Sequence, residues 1–215
     1  MPTLPEILQQ LQFITQETAL LGLFLTGGLI LVGRDWRVLI LALLAQYILV
    51  GLILSRLVRP DIAVLKVMIG AFVCPILFLS ARQVTVTPSL IALLSKERRQ
   101  MAPPTGFVFR LFTVLLMILV AITLSHTFTL TGLSLNITLG VYWLILAGLT
   151  TLILTDNPIK VGVGLLTILS GFDLFYTTLE RSLLITGLWG TVNLLVALAV
   201  SYLVVVRGAG VEEDK

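Results

Sequence analysis

Four polar side chains interrupt long apolar runs in this sequence: Gln46, Lys66, Asp173 and Asn193. Asp173 is the most unusual. Twelve uncharged residues separate it from Lys160, and six more separate it from Glu180. A carboxylate in such a setting must be protonated or must meet a partner, and a group poised between those states can pass a proton or a cation onward. The simpler roles for it are a buried structural hydrogen bond, or an acid nearer the interface. Lys66 stands four residues past Ile62. Its long stem either snorkels to the headgroups or holds a paired, titrating ammonium inside the protein. Gln46 and Asn193 fall near the centres of their runs. Neutral amides in hydrocarbon tie helices together, typically for about 0.6 kcal/mol per contact, or line a polar path. These four residues form the candidate ion path.

The surroundings of these residues are lipid rather than water. Of the 215 residues, 58% are hydrophobic and only 12% charged, about half the usual charged share. A soluble domain must coat its core with charge, and this chain has too little to do so. The net charge of +3 does not point to nucleic acid, because the basic residues sit between apolar runs, where topology signals lie. A single cysteine, Cys74, excludes an internal disulfide, and one histidine, His126, excludes a histidine cluster. The first seventeen residues carry glutamate and glutamine, so no cleavable signal is read there.

An α-helix needs about 20 residues to cross roughly 30 Å of hydrocarbon. Seven apolar runs meet or approach that length: 18–33, 37–57, 62–81, 107–125, 137–154, 159–179 and 183–206. They are continuous rather than alternating, so the fold class is all-α integral membrane with about seven transmembrane helices, not an outer-membrane barrel. With the N-terminus outside and the C-terminus in the cytoplasm, ten Lys and Arg fall inside and three outside, with Lys66 within a span. That bias sets the expected orientation in an inner or plasma membrane.

An offset of 123 residues lays "LILVGRDWRV" on "LILTDNPIKV". In each copy one span ends, a short polar turn carries a basic residue, and the next span begins. The implied plan is three spans, a linking span, then three more, with the two three-helix units parallel. Residues 1–85 form the first unit, 86–106 a cytoplasmic loop, 107–135 the linking helix and outer loop, 136–206 the second unit and 207–215 a disordered tail. Within the loop, "TPSLIALLSKERR" reads as a short helix capped by Thr87. It either lies on the anionic inner leaflet or docks a cytoplasmic subunit.

Two stretches carry a family resemblance. "IKVGVGLLTILSGFDLFY" resembles the second span of the three-helix subunits of ion-pumping membrane arms: chain 4L (the K subunit) of respiratory complex I and the C subunit of multi-subunit sodium/proton antiporters. "VLKVMIGAFVCPILFLSARQ" is similar to the third span of the hydrogenase-4 membrane component E, with Lys66, Pro75, Ala81 and Arg82 in that family's order and Gln46 in the span before. The resemblance implies a membrane-arm subunit that shapes a proton or cation path, bridges other membrane-arm subunits and holds no redox centre of its own. In the later spans, where that family carries glutamates, this chain has Ser170, Gly171 and Trp189, and the Lys66-to-Pro75 spacing of nine is longer than the family's.

No nucleotide-binding loop, nucleophile with a base, or metal-ligand spacing is present in the sequence. The chain is therefore expected to be non-catalytic by itself, with no cofactor and no metal, though it could serve a multi-subunit oxidoreductase. Its expected partners are other membrane-arm subunits, the lipid bilayer and a cytoplasmic subunit at 86–106, with no nucleic acid. The competing readings are a stand-alone small transporter and a membrane scaffold or assembly protein. The basic-residue bias makes a direct topological prediction: reporter fusions at Pro104 and Lys215 both read cytoplasmic. An external signal from either would contradict the N-out arrangement of seven spans.

Overall fold

The computed structural model describes residues 16–58, 60–85, 106–130, 133–180 and 182–209. These form seven helices: α1 (Gln16–Val32), α2 (Trp36–Leu57), α3 (Pro60–Thr85), α4 (Phe107–Thr127), α5 (Leu135–Ile153), α6 (Pro158–Leu179) and α7 (Leu183–Ala209). Each corresponds to one apolar run of the sequence, extended by a few residues at its ends. The loop helix expected after Thr87 and the end of the tail lie outside the described residues.

Six of the helices are long and apolar enough to cross a membrane, and α1 is a shorter apolar helix. The chain is an all-α, multi-pass membrane protein. At 1.5 Å per residue the 17 residues of α1 cover about 25 Å, a little less than the hydrocarbon thickness.

The polar turns define the helix starts. Asn157 caps α6, its side chain accepting from the Ile159 N–H at 3.0 Å, and Pro158 occupies the first turn, where its missing N–H costs nothing. Pro75 lies inside α3, which continues through it from Pro60 to Thr85, and the carbonyl one turn earlier loses its usual donor.

Short connections make sequence neighbours antiparallel, and the helices sort into two rows of three. In one row α2 packs between α1 and α3; in the other α6 packs between α5 and α7. Across the rows α1 meets α5, α2 meets α6 and α3 meets α7. α4 lies outside, on α1 and α5, with only Ala121 and Ser125 buried. This is the three, one, three plan. The facing positions also keep nearly the offset of the sequence repeat. Leu23 and Trp143 are 120 residues apart, and Ser80 and Ser201, whose hydroxyls touch, are 121 apart. Helices of equal rank therefore run side by side in the same direction.

Small residues and one tryptophan set how closely the rows approach. The buried Trp143 donates its indole N–H to the Leu23 carbonyl at 3.0 Å and stacks on Phe24, with centroids 4.8 Å apart. Its ring occupies the space that a Cβ on Gly27 would need. Between α5 and α6, a Cβ on Gly148 would stand 2.6 Å from the Gly164 carbonyl oxygen and 2.9 Å from the Ile168 nitrogen. Backbone cannot yield there as a side chain can, so the crossing requires glycine.

Gly148→Ala should consequently lower stability by about 1–3 kcal/mol, the usual cost of overpacking. Gly187→Ala, on α7 with nothing within 4 Å of the added methyl, should be close to neutral. Unfolding of the purified protein in detergent measures both, and equal costs would contradict the close α5–α6 crossing.

Candidate functional site

The polar residues of α6 are arranged as a file. Lys160, Thr167, Ser170, Asp173 and Thr177 are all buried, although the helix is otherwise apolar. Ser170, Asp173 and Thr177 recur at intervals of three and four, which keeps them on neighbouring parts of one helical surface. That surface belongs to a helix at the centre of its row, where hydrocarbon does not reach.

Asp173 lies six residues from the end of α6, and Lys66 six residues from the start of α3. α3 and α6 run in opposite directions, so both residues stand about 9 Å below the same end of the bundle. Their charges meet: Lys66 Nζ is 2.5 Å from Asp173 Oδ2, with the side chains 0% and 1% exposed. The lysine therefore does not snorkel to the headgroups. Its burial against a carboxylate corrects the simpler of the two sequence expectations. The physical reason is that Asp173 faces it from α6, so the ammonium finds a carboxylate inside the bundle and need not reach the headgroups.

Each member of the pair has a further neighbour. Thr177, one turn along α6, donates its hydroxyl to Asp173 Oδ1 at 3.1 Å. The Lys66 ammonium lies 4.8 Å from the centroid of the Tyr47 ring, a cation–π contact. Tyr47 donates to Asn193 Oδ1 at 2.9 Å, and the Asn193 amide donates to the Trp189 carbonyl at 2.8 Å. Asp173, Lys66, Tyr47 and Asn193 thus make one buried chain of contacts through α6, α3, α2 and α7. It joins the two rows at their middle.

Gln46 is fully buried beside Tyr47 on α2, but no hydrogen bond reaches either of its amide atoms. The Thr138 hydroxyl is also buried without a hydrogen-bond partner, whereas the Ser170 hydroxyl lies against Tyr47. Groups left so in a protein interior cost about 1–3 kcal/mol each, and buried water is their usual remedy.

Of the four residues singled out in the sequence, the fold joins Asp173, Lys66 and Asn193 and places Gln46 next to their linking tyrosine. Tyr47 and Thr177 escaped sequence reasoning, and Ser170 entered it only as standing where the resembled family carries a glutamate. The spacing of Ser170 and Thr177 around Asp173 was a usable signal; nothing marked Tyr47 except its place after Gln46. His126 is exposed in the last turn of α4. Among the described residues, no group of three or more His, Cys, Asp or Glu could hold a metal ion.

The arrangement has two chemical capacities. A proton can pass directly between an ammonium and a carboxylate in contact, leaving a neutral amine and a neutral acid. A cation or hydronium arriving from outside the pair can also displace Lys66 from Asp173. Compared with protein-family models, characterised proteins and solved structures, the chain matches none.

Removing one charge strands the other. Lys66→Met should lower stability by about 3–5 kcal/mol, and adding Asp173→Leu to it should recover most of that loss, because an apolar pair replaces a buried ionic one at little cost. Melting of the single and double variants in detergent provides the comparison. A double variant as unstable as the summed singles would show that the two charges are not coupled.

Proposed function

We propose that this chain is a membrane-embedded subunit of an ion-translocating assembly, in which the Lys66–Asp173 pair is a station on a proton or cation path. The observation that carries this reading is the burial of that pair between two rows of apolar helices. A membrane scaffold has no need of it. Replacing a buried ion pair by well-packed apolar residues is often neutral or stabilising, so packing alone does not call for charges here. Charged groups within membrane spans most often serve ion pathways and relays.

The surroundings support the same reading. The buried groups without partners, the Gln46 amide and the Thr138 hydroxyl, would be satisfied by water, and water near the pair would give a proton or hydrated cation its route. The polar file along α6 extends from Asp173 towards Lys160, about 20 Å away at the other end of the helix. An ion reaching Asp173 would release Lys66 towards Tyr47 and Asn193. Its departure would restore the pair. Such a cycle needs no cofactor and no covalent step.

The motif likeness to component E, chain 4L and the antiporter C subunit adds the setting: a membrane arm beside larger ion-carrying subunits, complex I-like, hydrogenase-4-like or antiporter-like. In that setting the chain would shape the path and bridge its neighbours.

Asp173→Asn retains the shape of the carboxylate and removes its titration. In the intact assembly it should sharply reduce ion translocation while leaving the yield of assembled complex nearly unchanged. Gradient formation in membrane vesicles, measured beside complex yield, is the assay. Normal translocation in Asp173→Asn would reject the station, and a loss of assembly without a transport defect would mark the aspartate as structural.

A further inference from the structure

At the opposite end of the bundle from the ion pair, three cations converge from three segments. Arg34 belongs to the turn between α1 and α2, Arg110 to the first turn of α4, and Lys160 to the first turn of α6. Each lies within electrostatic reach of the other two. Lys160 is almost fully buried, and its ammonium donates to the carbonyl of Gly33, capping the end of α1. The place of Arg110 follows from packing: Val114, one turn later on α4, lies against Gly28 on α1, which brings Arg110 beside the last turn of α1. Its Nε is sealed from solvent and has no hydrogen-bond partner. Asp35 and Asp156 occupy the same end with exposed side chains.

Three mutually repelling cations, one buried and one with a donor that no described residue satisfies, favour an anion beside them. Among the described residues α4 packs mainly on α1 and α5, and most of its side chains are exposed. Leu25 and Leu29 on α1, and Leu111 and Leu115 on α4, flank the Gly28–Val114 contact and are exposed along the direction an acyl chain would take. The basic-residue bias places this end at the cytoplasmic leaflet, the one that carries anionic headgroups.

We propose that Arg34, Arg110 and Lys160 form a binding site for the phosphate of an anionic phospholipid, whose chains lie along the groove between α1 and α4. The guanidinium of Arg110 supplies directional donors to phosphate oxygens, Arg34 adds charge from the turn, and Lys160 fixes the floor of the site by holding the end of α1. A lipid bound there would pin the peripheral α4 to the first row at the level of the headgroups.

The test uses the full chain, purified and delipidated in mild detergent. Phosphatidylglycerol, phosphatidylcholine or inorganic phosphate is then added, and bound lipid is counted by native mass spectrometry alongside the melting temperature. Phosphatidylglycerol should be retained and raise the melting temperature; phosphatidylcholine and inorganic phosphate at equal concentration should do neither. Arg110→Gln and Arg34→Gln should each reduce phosphatidylglycerol retention about fivefold, the effect of one charge near an anionic surface. Arg34 is exposed in a turn, so Arg34→Gln preserves the fold and keeps the test valid if Arg110→Gln does not. Equal retention of the two lipids, unchanged retention in Arg34→Gln, or an equal shift from inorganic phosphate would overturn the proposal.

Discussion

Lys66 and Asp173 carry opposite charges into a bundle whose outer surface faces hydrocarbon, and neither could remain there alone. A single charge at mid-bilayer depth costs at least about 2.5 kcal/mol even on the most lenient scales. Held 2.5 Å apart and shielded from solvent, the two cancel most of that penalty and fix where α3 must lie relative to α6. The nearby polar contacts follow from this constraint. Tyr47 turns its ring towards the ammonium and its hydroxyl towards Asn193, which draws α2 and α7 to the same point. Thr177 supplies the carboxylate with a hydroxyl donor from its own helix. The pair is the polar centre around which two rows of apolar helices are registered.

The rows themselves rest on apolar packing, and here glycine and tryptophan decide the distances. Gly148 opposite Gly164 allows backbone to approach backbone, while Trp143 fills the larger gap between α1 and α5. Trp143 matters where α1 meets α5 and the Ser80–Ser201 contact where α3 meets α7; both join residues separated by nearly the offset of the sequence repeat. The interior is tight where it is apolar and loosely satisfied where it is polar, at Gln46 and Thr138.

Much of this was legible in the sequence. Continuous apolar runs locate all seven helices to within a few residues, because hydropathy and chain length are local properties. Asp173 is conspicuous because nothing around it is charged. Its partner was harder to identify. Which helix Lys66 faces is set by long-range packing, and the Asp173 carboxylate on α6 is what commits the lysine to the interior rather than to the headgroups. Tyr47 left no trace, since a tyrosine in a span is ordinarily an interface or packing residue. The position of α4 was equally hidden. It is as apolar as its neighbours yet buries only Ala121 and Ser125, because hydropathy cannot distinguish a helix facing lipid from one facing protein.

In the proposed function Asp173 changes state when an ion moves, rather than serving as a permanent brace for Lys66. Infrared difference spectroscopy tests it most directly, on membranes holding the assembled protein, recorded before and after an ion gradient is imposed, with Asp173→Asn to assign the bands. The account predicts an Asp173 signal in the difference spectrum: a protonated carboxyl band if the ion is a proton, or a displaced carboxylate band if it is a metal cation. A spectrum in which no Asp173 band responds to either gradient would contradict it and leave the pair a purely structural tie.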